Sequence, residues 1–498
     1  PLGCLINEGR CSSEENDKYV FRRGVETFPS VGDAVLLPTQ RQLRSIVESG
    51  ENRHVKIGIS PLAAGAEVCI DPDRLFGRHL AVLGNTGSGK SCSVAGLIRW
   101  SLEAAKKKLK PGQEPNARFI VLDPNGEYAH AFKDSSNVRL FAVDPGESYT
   151  QLQVPLWFWN SAEWCVFAQA SGKAQRPTLI QSLRAVRDGQ TEAPISDSSE
   201  MRRFLRTLVS IIQIEKNKGT PWASFPHPKN FLEKLKKWNE DLKEQDSFVV
   251  EEKESIDKLK AHISVLTDAR SGTHPHYDFR KSEIDCLLEL TKEAHSRFGG
   301  NDSEYLPIDA DIPRSFDLNQ LIRSVEANAE LLNVTEYVET MLMRMRVMLS
   351  DTRMRSITGN TGDTTLESWL NEYIGSDGAS NGTVTIIDLS LVPAEIIHIV
   401  TAAIARITFE ALQRFRKLHK DKKTLPTVLV MEEAHTFIKR YKEDAENQDA
   451  SAICCQVFEK IAREGRKFGL GLVLSSQRPS ELSPTVLSQC NSFLLHRI

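Results

Sequence analysis

The chain has 498 residues, a length that at roughly 150 residues per domain gives about three domains and room for a sizeable core. Lys and Arg number 63 against 66 Asp and Glu, so the formal net charge of −3 excludes a surface coated in basic charge while leaving room for a local basic channel. With 40% hydrophobic and 26% charged residues, the composition excludes disordered, collagenous and membrane classes.

Nine cysteines, an odd number without a CxxC pair, fit a reduced cytosolic protein with no structural zinc site. The most apolar long stretch, Ile396 to Leu412, is interrupted by His398, Arg406 and Glu410, so no membrane span and no membrane partner are expected. No secretory signal opens the chain, and a cytoplasmic location follows as the expectation. The chain begins at Pro1 rather than Met and stops at Ile498 just after the apolar run Phe493-Leu494-Leu495, the pattern of a chain trimmed at both ends.

In chain order, residues 1–76 carry short β-prone pieces separated by Gly and Pro: Ala34 to Leu37, His54 to Ile59 and Glu67 to Ile70. Their spacing predicts a small N-terminal β-barrel or sandwich. From His79 the pattern changes to continuous apolar runs: Leu80 to Leu83, Phe119 to Leu122, Leu140 to Val143, Val384 to Ile387, Val428 to Met431, Leu472 to Leu474 and Phe493 to Leu495. Runs of this kind are parallel strands covered on both faces, and they define an α/β sheet protein. Between 161 and 380 such strands give way to amphipathic helical spacing, as in Phe204, Leu205, Leu208, Ile211 and Ile212. The expected organisation is therefore a β-barrel over 1–76, a first part of an α/β core over 77–160, a helical insertion over 161–380 and a second core part over 381–498. Met341, Met343, Met345, Met348 and Met354 cluster in the insertion, as ordinary helix core or as a Met-rich docking face.

Gly84-Asn85-Thr86-Gly87-Ser88-Gly89-Lys90-Ser91 matches G-x-x-x-x-G-K-[ST] between a strand ending at Leu83 and an apolar-periodic segment through Val94, Leu97 and Ile98. The chemistry needs these residues there. Glycines let backbone N–H groups close around phosphates, the helix N-terminus adds its positive end, Lys90 reaches the β- and γ-phosphates of ATP, and Ser91 ligates Mg2+. A phosphate loop needs an acidic partner at the end of a second buried strand, and Val428 to Met431 ends in Glu432-Glu433. Glu432 is the metal or metal-water ligand of this reading and Glu433 the base that polarises the attacking water, the pair being firmer than the division between them. A solvated strand end is the plainer alternative for two such carboxylates.

Asp123 opens Asp123-Pro124-Asn125-Gly126-Glu127-Tyr128 at the end of a strand, either as a ligand-edge carboxylate or as an Asp-Pro turn and helix cap. Gln477, just after the Leu472 to Leu474 run, has the position and chemistry of a γ-phosphate sensor, or of a polar residue in a solvated loop.

The phosphate loop, the Asp123 to Tyr128 segment, Glu432-Glu433-Ala434-His435, and the run from Ala462-Arg463-Glu464-Gly465-Arg466-Lys467-Phe468-Gly469 to Ser476-Gln477-Arg478-Pro479 together resemble the HerA branch of the HerA/FtsK ATPases. The resemblance implies a RecA-like P-loop ATPase core with a mainly parallel sheet, and it reads residues 28–76 as the family's β-barrel. It also implies a homo-hexameric ring that hydrolyses ATP at subunit interfaces and moves double-stranded DNA, with nuclease or sirtuin-like effector partners. By motif it sets Lys90, Asp123 and Glu433 on active-site positions, Arg466 on an arginine finger reaching a neighbour's nucleotide, and Arg78 on a basic residue near the phosphates. On residues alone, Arg466 reads as surface charge. The chain ends before the family's C-terminal segment, and nothing in these residues selects an effector.

A translocating ring needs basic loops to track phosphates. Lys439-Arg440-Tyr441-Lys442 is one candidate, with Arg414 to Lys417 and Lys420 to Lys423 as alternatives, and each also reads as a solvated face. Two functions remain open on the sequence: an ATP-driven DNA translocase, and a nucleotide-dependent scaffold that organises and switches an effector enzyme.

Overall fold

The computed structural model describes residues 3–7, 19–23, 30–34, 37–48, 55–63, 65–133, 138–187, 197–243, 245, 247–271, 277–300, 310–359, 364–419, 421, 423–441 and 449–497. It divides into two compact units, 1–155 with 350–498, and 156–349.

Among the described residues twelve strands lie in the first unit: β1 (Gly3–Asn7), β2 (Tyr19–Arg23), β3 (Val55–Ser60), β4 (Ala66–Ile70), β5 (Leu80–Leu83), β6 (Arg118–Asp123), β7 (Val138–Ala142), β8 (Thr150–Gln151), β9 (Val384–Asp388), β10 (Thr427–Met431), β11 (Leu470–Ser476) and β12 (Ser492–Leu495). Eight of them form one sheet in the order β12-β5-β11-β10-β6-β9-β7-β8, and every neighbouring pair is parallel. Residues of β5, β6, β10 and β11 are buried along their whole length, which is why these strands read as unbroken apolar runs. On the β12 edge, Phe493 and Leu495 stay half-exposed and the burial alternates. One face is packed by Val94, Leu97 and Ile98 of the helix Lys90–Lys106 against Val82, Val121, Val430 and Val473. A parallel sheet carries its ligands at the carboxyl ends of its strands, so a ligand belongs at the ends of β5, β6, β10 and β11.

The expected N-terminal barrel is not confirmed. Among the described residues this region forms two separate antiparallel pairs, β1 with β2 and β3 with β4, and the helix Gln40–Val47. β3 and β4 match two of the predicted strands, with a register shift between Lys56 and Gly58. The third predicted strand, Ala34 to Leu37, lies partly outside the described residues, and Ala34 and Leu37 are not in a strand.

The second unit is helical, with helices Gln175–Arg187, Asp197–Lys218, His227–Asp241, Val250–Asp268, Lys281–Arg297, Leu318–Leu331 and Thr335–Ser350. Its core gathers Leu205, Leu208, Ile212, Leu235, Leu259 and Leu287. Met341 and Met345 are buried core residues of this unit and Met343 is exposed, while Met354 is buried in the first unit. No helix among the described residues is long and apolar enough to cross a membrane.

Candidate nucleotide site

Gly84 to Gly89 link β5 to the helix Lys90–Lys106. The backbone turns at Gly87 (φ 72°) and Gly89 (φ 87°), in the left-handed region that a side chain resists, and nothing stands where a Cβ would point. The loop is tied down on both flanks. Gly84 N donates to Ser476 O at 3.3 Å, Asn85 N to Arg497 O at 3.0 Å, and His496 Nδ1 to Ser88 O at 2.8 Å. Thr86 Oγ1 donates to Gln477 Oε1, joining the loop to the segment after β11. Lys90 is buried and its Nζ donates to Asn85 O at 3.0 Å.

β11 lies between β5 and β10, so the strand that leads into the loop and the strand that ends in the acidic pair stand about 10 Å apart. Side chains bridge that gap. Ser91 Oγ donates to Glu432 Oε1 at 3.2 Å and Ser475 Oγ to the same oxygen at 2.8 Å. Tyr128 Oη donates to Glu432 Oε2 at 2.6 Å. Burial raises the Glu432 carboxyl above the usual carboxylate range, against the three hydroxyl donors that lower it.

Glu433 takes the left-handed conformation (φ 46°, ψ 46°) that turns the chain out of β10, a strained backbone for a residue with a side chain. Its Oε2 is buried without a hydrogen bond and lies 3.2 Å from His435 Nδ1. Burial raises its carboxyl too, and the Lys90 charge opposes the rise. His435 Nδ1 is also 3.2 Å from Ser476 Oγ, next to Gln477.

Asp123 is fully buried and uses both carboxylate oxygens within its own turn. Oδ1 accepts from Asn125 N at 3.1 Å and Gly126 N at 3.0 Å, and Oδ2 from Tyr128 N at 2.8 Å.

Arg78 and Arg466 lie elsewhere. Arg78 precedes β5 and Arg466 precedes β11, at the amino ends of strands whose carboxyl ends carry the loop and Gln477. Arg466 Nη2 donates to Arg78 O at 3.3 Å, to Asn491 Oδ1 at 2.6 Å and to Gln489 O. The structure thus brings Gly84 to Ser91, Glu432, Glu433 and Gln477 to one edge with Asp123, and brings Arg78 and Arg466 to each other at the opposite edge. Of the basic candidates, Lys439 and Arg440 are exposed just beyond the short helix Ala434–Phe437, on the nucleotide edge. The helix Ile397–Leu418 runs back from the end of β9, so Arg414 to Lys417 fall near the start of β10. Lys420, Lys422 and Lys442 lie outside the described residues.

The sequence reading missed Tyr128, Ser475 and Ser476. Tyr128 closes the Asp123 motif, and the two serines are polar residues at the buried end of an apolar strand just before Gln477. That combination is the signal that singles them out.

Two observations fit phosphate and a divalent cation to this site. Ser88 Oγ is buried in the loop without a hydrogen-bond partner. Ser91 and Glu432 offer the one or two hard oxygen donors that Mg2+ takes from protein beside phosphate oxygens and water. Among the described residues no cluster of three or more His, Cys, Asp or Glu forms an all-protein metal cage.

A wholly parallel sheet with a phosphate loop at the end of one strand and a carboxylate pair two strands away is the architecture of a P-loop ATPase. The family described as the central domain of helicase HerA matches residues 55–283. A probable helicase of Methanocaldococcus jannaschii is 22% identical over 90% of this chain and 58% of its own length. The DNA double-strand break repair helicase HerA of Pyrococcus furiosus is 33% identical over 24% of each chain. Among solved structures, VirB4 of Thermoanaerobacter pseudethanolicus aligns over 90% of this chain and 84% of that chain, at 14% identity and a TM-score of 0.35. The chain therefore spans little more than half of the first relative and about a quarter of the second. The fold and the phosphate loop are those of a P-loop ATPase, and residues 55–283 are similar to the central domain of helicase HerA.

Proposed function

We propose that this chain is the ATPase subunit of a homo-hexameric motor that translocates double-stranded DNA and delivers it to a nuclease or a sirtuin-like effector, in DNA processing or antiviral defence. The observation that carries the reading is the pairing of Ser91 with Glu432 beside Glu433, because a fold that only held nucleotide would need the loop and not the second carboxylate.

In this reading the loop amides and Lys90 hold the phosphates of ATP, and Ser91 and Glu432 hold Mg2+. Held there by Ser91 and Glu432, the metal would supply positive charge to offset that of the phosphates. Glu433 takes the proton of the water that attacks the γ-phosphorus, and ADP departs as the bond to its β-phosphate oxygen breaks. Gln477, tied to Thr86, senses the γ-phosphate. Arg466 serves the site of the next subunit, since its guanidinium sits at the edge opposite its own loop, and a planar cation suits charge spread over phosphoryl oxygens. Arg78, beside it, belongs to the same interface. Lys439 and Arg440 are the loop residues that track DNA phosphates, because they leave the edge where nucleotide turnover occurs.

The experiment is the ATPase rate with and without double-stranded DNA, with Lys90→Ala as control. The motor reading expects DNA to raise a rate that Lys90→Ala abolishes. A rate unchanged by DNA would favour a nucleotide-switched scaffold for the effector.

A further inference from the structure

We propose that Tyr128 is the positioning residue for Glu432, and that Asp123 acts on the nucleotide site through Tyr128 instead of touching metal or phosphate itself. The inference rests on the reading of the site as an ATPase centre, and it differs from a direct catalytic role for Asp123.

The geometry makes one connected path. Asp123 Oδ2 accepts from Tyr128 N at 2.8 Å while Oδ1 holds Asn125 N and Gly126 N, so the carboxylate fixes the backbone that carries Tyr128. The Tyr128 ring is 2% exposed and its hydroxyl donates to Glu432 Oε2 at 2.6 Å. Glu432 Oε1 takes Ser91 Oγ and Ser475 Oγ. A carboxylate free to rotate would offer its oxygens to a cation in many directions, and hydroxyl donors on both oxygens restrict Glu432 to one. Phenol is suited to this place because its hydroxyl sits at the end of a rigid ring with two torsions. Asp123 and Glu432 each accept three hydrogen bonds, but the Asp123 donors are backbone amides of its own turn, which cannot move aside for a cation without breaking it, whereas the Glu432 donors are hydroxyls that can rotate.

The test uses the full chain and measures Mn2+ binding by electron paramagnetic resonance in the presence of ADP, together with ADP binding in EDTA. Tyr128→Phe removes only the hydroxyl. It should weaken Mn2+ binding about tenfold or more, as loss of partners that orient metal ligands does, while ADP binding in EDTA and the melting temperature stay at wild-type values. Asp123→Asn should weaken Mn2+ in the same direction, and the double variant should bind Mn2+ no more weakly than the worse single variant. If wild type itself binds no Mn2+ with ADP, the ATPase reading fails. If wild type binds and Tyr128→Phe binds equally well, the positioning role is wrong. If the two losses multiply in the double variant, Asp123 acts by its own route.

Discussion

Ser91 and Glu432 are 341 residues apart in the chain and 3.2 Å apart in the fold. The strand β10 brings Glu432 to the loop and then turns sharply at Glu433, so the two adjacent acids face different neighbours: Glu432 the hydroxyls of Ser91, Ser475 and Tyr128, Glu433 the imidazole of His435. Glu433→Gln should therefore leave nucleotide affinity intact and lower turnover about 10²- to 10⁴-fold, the range for losing a general base. Glu432→Gln should instead raise the magnesium concentration needed for half-maximal rate. Steady-state rates titrated with magnesium separate the two, and a Glu433→Gln variant with wild-type turnover would contradict the assignment.

Arg466 donates to Arg78 O, Gln489 O and Asn491 Oδ1 at the edge away from its own loop. If it serves a neighbouring copy, Lys90→Ala and Arg466→Ala should each be inactive alone and regain activity when mixed and reassembled. A site with an intact Lys90 then meets an intact Arg466 from the next subunit. Mixtures as inactive as their components would contradict the shared site.

Gly471 lies in β11 where a Cβ would stand 1.9 Å from Phe76 O, a backbone atom that cannot rotate away. Gly471→Ala should destabilise the fold by about 3 kcal/mol or more through forced separation of β11 from the 76–77 segment. Gly172→Ala, where nothing lies within 4 Å, should change stability by no more than about 0.5 kcal/mol. Chemical denaturation of the two variants side by side is the check.

His79 is buried, accepts Leu472 N on Nδ1 at 3.0 Å and donates from Nε2 to Ala462 O at 3.0 Å, so both ring nitrogens are satisfied in the neutral form. Burial, helped by the Arg466 charge, holds its pKa down to about 4. Between that value and the ordinary 6.5 the unfolded chain binds a proton that the folded chain does not. The stabilisation from His79 is complete above pH 6.5 and is lost as pH falls, by roughly 3 kcal/mol at the acid end of the window. His79→Asn, which tolerates the left-handed backbone at this position (φ 56°), should lose that part of the pH dependence. Parallel stability curves for the two proteins between pH 4.5 and 7 would contradict it.

How much of this was legible in the chain follows from how local each signal is. The runs of β5, β6, β10 and β11 are readable because a strand buried on both faces shows no alternation, and the loop from Gly84 to Ser91 is readable because its glycines and Lys90 act within eight consecutive positions. The hydroxyls of Tyr128 and Ser475 were not legible as partners of Glu432, since that contact depends on strand order, with β6, β10 and β11 adjacent in space and scattered in sequence. Arg466 and Gln477, only eleven residues apart, stand at opposed edges because the whole of β11 runs between them. The N-terminal pieces were less legible because short β-prone segments specify strands and not their pairing. β3 and β4 pair with each other, and no ladder joins them to β1 and β2 among the described residues.

The central claim is that ATP turnover at the Ser91 and Glu432 site moves double-stranded DNA. Displacement of a labelled third strand from a DNA triplex, followed in real time with the assembled protein, tests it most directly. The account predicts displacement that requires ATP and magnesium and disappears in Glu433→Gln. ATP hydrolysis at an undiminished rate with the triplex left intact would contradict it.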